Sequence, residues 1–171
     1  MSITLYNKGF NKKNTDYMTP DYAWLDIDKY IPDDKIIWSP FYGDGTQKKI
    51  FKNMGYNIIH KNKDFFCYTP KYDLIIDNPP FSNFKDILNR LKEIDKPFIL
   101  LMPSGKLSTK YFKKFQKNNP NKIQLIIPKR RINFIKYING RLDTSLKPNG
   151  CNFDCYYYCY KMNLTKDIIW I

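Results

Sequence analysis

The sequence predicts an α/β fold built on a mostly parallel sheet, and three observations carry that expectation. Short apolar runs of β-formers recur at Ile36–Trp38, Leu74–Ile76, Phe98–Met102 and Ile123–Ile127. They lack the alternation of a sheet with one wet face, so they read as strands buried on both sides. Stretches with helical spacing lie between them, and Gly43-Asp44-Gly45 turns one strand into a helix, as a ligand-binding βα unit requires. At 171 residues the chain is long enough for one domain.

Taken in order, residues 1–15 are polar and read as a loose leader, with a single domain over 16–171 and no linker to a second. Thr19 is placed to cap a helix over Asp21–Tyr30 that opens with Pro20 and stops at Pro32. The strand Lys35–Trp38 then leads through Ser39-Pro40-Phe41-Tyr42 to the glycines and a helix over Thr46–Met54. A second strand ends at His60, followed by the polar-aromatic segment Lys63-Asp64-Phe65-Phe66. The run Tyr72–Asp77 must stop near Asn78, because Pro79 and Pro80 cannot donate to a ladder. The two prolines make a stiff ledge at the strand's carboxyl end, where open α/β sheets bind ligands. Phe84, Ile87, Leu88 and Leu91 then mark one face of a helix over Asn83–Glu93. Strands over Pro97–Pro103 and Ile123–Ile127 flank a basic helix at Ser108–Lys117. Arg130–Phe134 and Phe153–Tyr160 read as a terminal antiparallel pair, and Asp167–Ile171 as an edge.

Composition narrows the function classes. Hydrophobic content of 43% with 17% aromatics argues for a packed core. No apolar run approaches the length of a membrane span and no signal-peptide core is visible, so an intracellular protein (cytoplasmic, nucleoid or nuclear) is expected. The net charge of +13 is concentrated: residues 103–150 hold 12 Lys and Arg against one acid, Asp143. So lopsided a block favours a polyanionic partner, nucleic acid above all. Lys106, Lys110, Lys113, Lys114, Arg130 and Arg131 are the candidate phosphate contacts. The regular spacing of Cys151, Cys155 and Cys159 suggests zinc, but the usual zinc spacings with two or four intervening residues are absent, and on a strand the three share one side and lie too far apart for one ion. Together with Cys67 they read as reduced, buried thiols. His60 is the only histidine, so no metal site is expected.

Asn78-Pro79-Pro80-Phe81 resembles motif IV of the amino-methyltransferases, Asp/Asn/Ser-Pro-Pro-aromatic. Pro40-Phe41-Tyr42-Gly43-Asp44-Gly45 resembles their motif I, and Asp64-Phe65-Phe66 their Asp-Phe segment. With Thr19-Pro20, these motifs in this order resemble the adenine-N6 methyltransferase family, particularly small phage- and virus-type DNA methylases. The resemblance spans roughly residues 16–134. It implies a Rossmann-like class I methyltransferase sheet with an antiparallel C-terminal strand, and S-adenosylmethionine as cofactor. By the same resemblance Thr19, Pro20, Ser39, Pro40, Phe41, Gly43, Gly45, Asp64 and Phe65 would bind the cofactor, with Phe65 or Phe66 against its adenine. Asn78 and the Pro79 carbonyl would accept from the target amine, Pro80 would stiffen the ledge and Phe81 would stack on the base.

Two positions depart from the family. Ser39 stands where motif I begins with an acid, and His60-Lys61-Asn62 where an acid should grip the ribose. These departures keep open a catalytically silent subunit that binds nucleic acid or an active partner. A protein-glutamine or small-molecule methyltransferase could use the same ledge. No room remains for a target-recognition domain, so long sequence specificity would need a homodimer or a partner subunit. DNA and RNA are both possible substrates, DNA the favoured one.

Overall fold

The computed structural model describes residues 15–138, 141–142 and 153–171. The leader reading for residues 1–14, and Cys151, lie outside them. The chain opens with β1 (Thr15–Met18) and the short helix α1 (Asp21–Leu25). The next βα unit is β2 (Ile36–Trp38) and α2 (Thr46–Asn53), followed by β3 (Asn57–Ile59) and β4 (Leu74–Asp77). Then come α3 (Phe84–Ile94), β5 (Phe98–Pro103), α4 (Lys110–Asn118) and β6 (Ile123–Ile127). The strands β7 (Ile135–Ile138), β8 (Arg141–Leu142), β9 (Cys155–Tyr160) and β10 (Ile168–Trp170) follow.

Seven strands form one sheet in the order β10-β6-β9-β5-β4-β2-β3. All run parallel except β9, which lies antiparallel between β5 and β6. The sheet is therefore the Rossmann-like arrangement expected. Every residue of β4 is buried, because helices cover both faces of a central parallel strand. On β9 successive side chains alternate, so Tyr157 and Cys159 enter the core with Trp24 and Phe51 while Tyr158 and Tyr160 enter the core with Phe84 and Phe98. Cys155 and Cys159 are buried on one side of this strand, as expected, whereas Cys67 is exposed. No cluster of metal-ligating residues occurs among the described residues.

The predicted stripe of α3 is the one that is buried: Phe84, Ile87, Leu88 and Leu91. The helix ends on Asp95 in the left-handed region (φ 53°), whose amide donates to the Leu91 carbonyl. Hydrogen bonds from Lys161 (2.7 Å) and Tyr160 (2.6 Å) hold the Asp95 carboxyl below its ordinary range.

Three expectations are corrected. The helix predicted over Asp21–Tyr30 stops at Leu25 and resumes as one 3-10 turn at Asp28–Tyr30, before Pro32 forces Ile31 extended (φ −98°, ψ 120°). Thr19 does not cap it: Pro20 occupies the cap position without a side-chain cap bond, and the first-turn Tyr22 amide donates instead to the Asp21 carboxylate at 2.8 Å. Arg130–Phe134 is not a strand against β9, because β5 and β6 already take both edges of β9. It runs across α1 instead: Ile132 and Phe134 are buried and the Asn133 amide donates to the Tyr22 hydroxyl at 2.9 Å. The chain then enters β7, which pairs antiparallel with β1 and with β8 in a separate three-stranded sheet.

Candidate active site

The carboxyl ends of β2, β3, β4 and β5 meet on one rim, with the entry to β9 beside them: Pro103 pairs with Cys155, and the Ser104 amide donates to the Asp154 carbonyl at 2.8 Å. Asp77 closes β4 and is 1% exposed. Its Oδ2 accepts from the Ser39 hydroxyl (2.9 Å) and the Phe41 amide (2.7 Å), and its Oδ1 from the Asn78 amide (2.7 Å). Burial pushes this carboxyl up to about 6, opposed by the positive charge of His60 and by the three donors. Its neighbours are all donors, which favours the carboxylate form. Sequence reasoning passed over Asp77 as the end of a strand. The signal was available: an acid ending a fully apolar run must find donors when it is buried.

His60 follows β3 and is 3% exposed. Its Nδ1 lies 2.8 Å from the Ser39 carbonyl and its Nε2 3.1 Å from the Tyr42 carbonyl. The Tyr42 ring stacks on the imidazole at 4.9 Å and 18°. The loop 39–45 is thus gripped from its carbonyl side by His60 and from its donor side by Asp77. It closes with Gly43 and Gly45 at φ 53° and 82°, a region glycine enters without steric cost. A Cβ on Gly43 would sit 3.2 Å from the Met18 Sδ, so the end of β1 abuts the loop.

Asn78 stands at the head of the ledge with its Oδ1 buried and without a hydrogen-bond donor. Pro79 is buried behind it, and Phe81 begins the 3-10 turn Phe81–Asn83. The half-buried Phe81 ring meets Phe153 edge-on at 5.5 Å and Phe134 at 6.3 Å, and Tyr17 packs edge-on against both of those rings. Phe134 and Phe153 were read as strand residues; their place beside Phe81 comes from chain crossings far apart in sequence. Thr19 contributes a second buried orphan, its Oγ1, and Pro20 is buried next to it.

Other expected cofactor contacts face elsewhere. The Ser39 side chain is fully buried and spends its hydroxyl on Asp77, and Pro40 is buried too. Phe65 is fully buried against Trp38 (5.5 Å) and Phe41 (5.1 Å), so of the two phenylalanines Phe66 has the accessible ring. Asp64 accepts from the Phe66 amide at 2.9 Å, stabilising its own turn. The basic candidates divide. Lys106 and Lys110 lie at the rim, while Lys113 and Lys114 follow along the exposed side of α4 as it leaves the rim. Arg130 stacks on Tyr22 at 4.3 Å and pairs with Asp26 at 3.9 Å, and Arg131 pairs with Asp154 at 3.4 Å.

This architecture has counterparts among solved structures. A dimethyladenosine transferase from Plasmodium falciparum superposes with a TM-score of 0.51 at 12% identity, over 84% of this chain and 62% of that one. The two share a fold. The chain spans less than two thirds of that transferase's length. A proposed RNA methyltransferase from Pyrococcus horikoshii aligns at a TM-score of 0.48 and 12% identity, covering 89% of this chain and 86% of that one. No family model and no curated protein matches the sequence.

Proposed function

We propose that the protein transfers a methyl group from S-adenosylmethionine to the exocyclic N6 of adenine in nucleic acid. The observation that carries this reading is the Asn78 Oδ1: a buried acceptor without a donor, on a proline ledge, beside an aromatic ring at the carboxyl end of a central strand. Leaving such an atom unpaired costs about 1–3 kcal/mol, and a ligand amine removes that cost. The dimethyladenosine activity named for the Plasmodium falciparum structure agrees with an amine target.

The residues present fit the cofactor. The Thr19 hydroxyl, the Pro20 turn and the loop 41–45 with its two left-handed glycines lie together at this rim, and Phe66 offers the accessible ring for the adenine. When bound, S-adenosylmethionine supplies an electrophilic methyl group on a sulfonium. The chain supplies position. The target base leaves its stack and lies on Phe81. Asn78 Oδ1 and the Pro79 carbonyl accept from the two amine hydrogens, which fixes the nitrogen lone pair in one direction. The work is orientation and electrostatics in a buried setting. Lys106 and Lys110 sit on the rim to receive phosphates, with Lys113 and Lys114 as a trailing basic track along α4. DNA is the favoured substrate.

Labelled methyl transfer to DNA and RNA oligonucleotides, alongside calorimetric titration with S-adenosylmethionine, tests the reading. Cofactor binding with label recovered as N6-methyladenine supports it. A well-folded protein that binds oligonucleotides but not the cofactor would instead be a silent nucleic-acid-binding subunit. Label on glutamine or a small molecule would move the target class.

A further inference from the structure

We infer that His60 is a positioning residue which, as an imidazolium balanced by the Asp77 carboxylate, clamps the glycine loop in its binding shape. Both ring nitrogens of His60 lie within hydrogen-bond distance of backbone carbonyl oxygens, Ser39 at 2.8 Å and Tyr42 at 3.1 Å. Carbonyl oxygens only accept, so both bonds form only when both nitrogens carry protons. A neutral imidazole would leave one nitrogen lone pair aimed at an oxygen lone pair inside a site that is 3% exposed. The charge that results has its counterpart in Asp77, whose three neighbours are all donors. Ser39 bridges the two, donating its hydroxyl to Asp77 and offering its carbonyl to His60.

The positions from which the family pattern expects acids are therefore used differently. The carboxylate sits on β4 instead of at position 39, and the residue after β3 faces the loop instead of a ribose. The groups around this pair are few. The loop presents Ser39 and Tyr42, the latter stacked on the imidazole, and from α2 the neutral Gln47 donates to the Ile76 carbonyl at 3.1 Å. Asp77 and His60 are the charges that act on one another. The clamp's consequence for S-adenosylmethionine rests on the function proposed above; the clamp itself is a property of the unliganded chain.

Because His60 is the only histidine, its ring nitrogens are assigned without ambiguity in a long-range proton–nitrogen correlation spectrum of the full chain. Two protonated nitrogens near neutral pH are expected, and a single neutral tautomer in the folded protein would overturn the inference. His60→Leu is expected to speed amide exchange at Phe41 and Gly45 by roughly tenfold or more while β4 and β5 keep their protection, with His60→Gln partway. Unchanged exchange at those two amides would also overturn it, and the wild-type spectrum decides alone if the variants fail to fold. Cofactor titration separates the two claims. A clamp present without cofactor binding refutes the proposed function and leaves the clamp standing. A clamp absent with cofactor bound does the reverse.

Discussion

Replacing Asn78 with alanine removes an atom that contributes nothing to folding in this structure. Its Oδ1 is buried and has no donor, so truncation relieves a desolvation cost of about 1–3 kcal/mol, offset in part by lost packing. The expected change in stability is therefore between zero and a small gain. For a chain of 171 residues each kcal/mol moves the Tm by about 2–4 °C. Methyl transfer should behave in the opposite way. An acceptor that engages the amine as charge develops on nitrogen is worth roughly 2.7–4 kcal/mol, or a hundred- to thousandfold in rate. The assay pairs calorimetric unfolding with labelled transfer to adenine-containing oligonucleotides. Asn78→Ala with an unchanged or raised Tm and a collapsed rate is the expected result. A Tm drop of more than about 5 °C would mean that Asn78 is structural. A rate within a few fold of wild type would mean that the orphan acceptor does not face the reacting amine.

Four further outcomes follow from the same geometry. Gly45→Ala forces an L side chain to φ 82° and sets its Cβ 2.8 Å from the Tyr42 hydroxyl, so urea unfolding should show a loss of at least about 1–2 kcal/mol, partly recovered by adding Tyr42→Ala. The Asp77 carboxyl rises from 3.8 to about 6 on folding, so between those values the native state holds a proton that the unfolded chain has lost. Its contribution to stability is fully present below the lower value and is lost as pH rises through the upper. Wild type should therefore lose stability relative to Asp77→Asn as pH rises across that window, measured by urea unfolding at several pH values. Changing Lys110, Lys113 and Lys114 together to alanine should flatten the salt dependence of oligonucleotide binding by about 0.9 log units per lost phosphate contact. Arg130→Ala, which breaks a pair with Asp26 and a stack on Tyr22, should cost stability more than it changes that slope.

What could be read from the chain alone was whatever depends on neighbours in sequence. The apolar run of β4, the stripe Phe84-Ile87-Leu88-Leu91 and the stop at Pro79 follow from residue spacing and backbone chemistry, and each stands where it was expected. The ledge was legible for the same reason, since Asn78, Pro79, Pro80 and Phe81 are consecutive. Tertiary structure decided everything that needs two distant segments. It placed β9 between β5 and β6, which left residues 130–134 to cross α1, and it paired β1 with β7. It also chose which of two adjacent phenylalanines to bury, turning Phe65 into the core beside Trp38. The largest difference lies in the polar centre. Ser39, His60 and Asp77 are 21 and 17 residues apart along the chain, and each looked like an isolated departure or an ordinary strand end. A buried charge is tolerable only with partners, and partners at that separation exist only once the strands of the sheet bring their carboxyl ends to one rim.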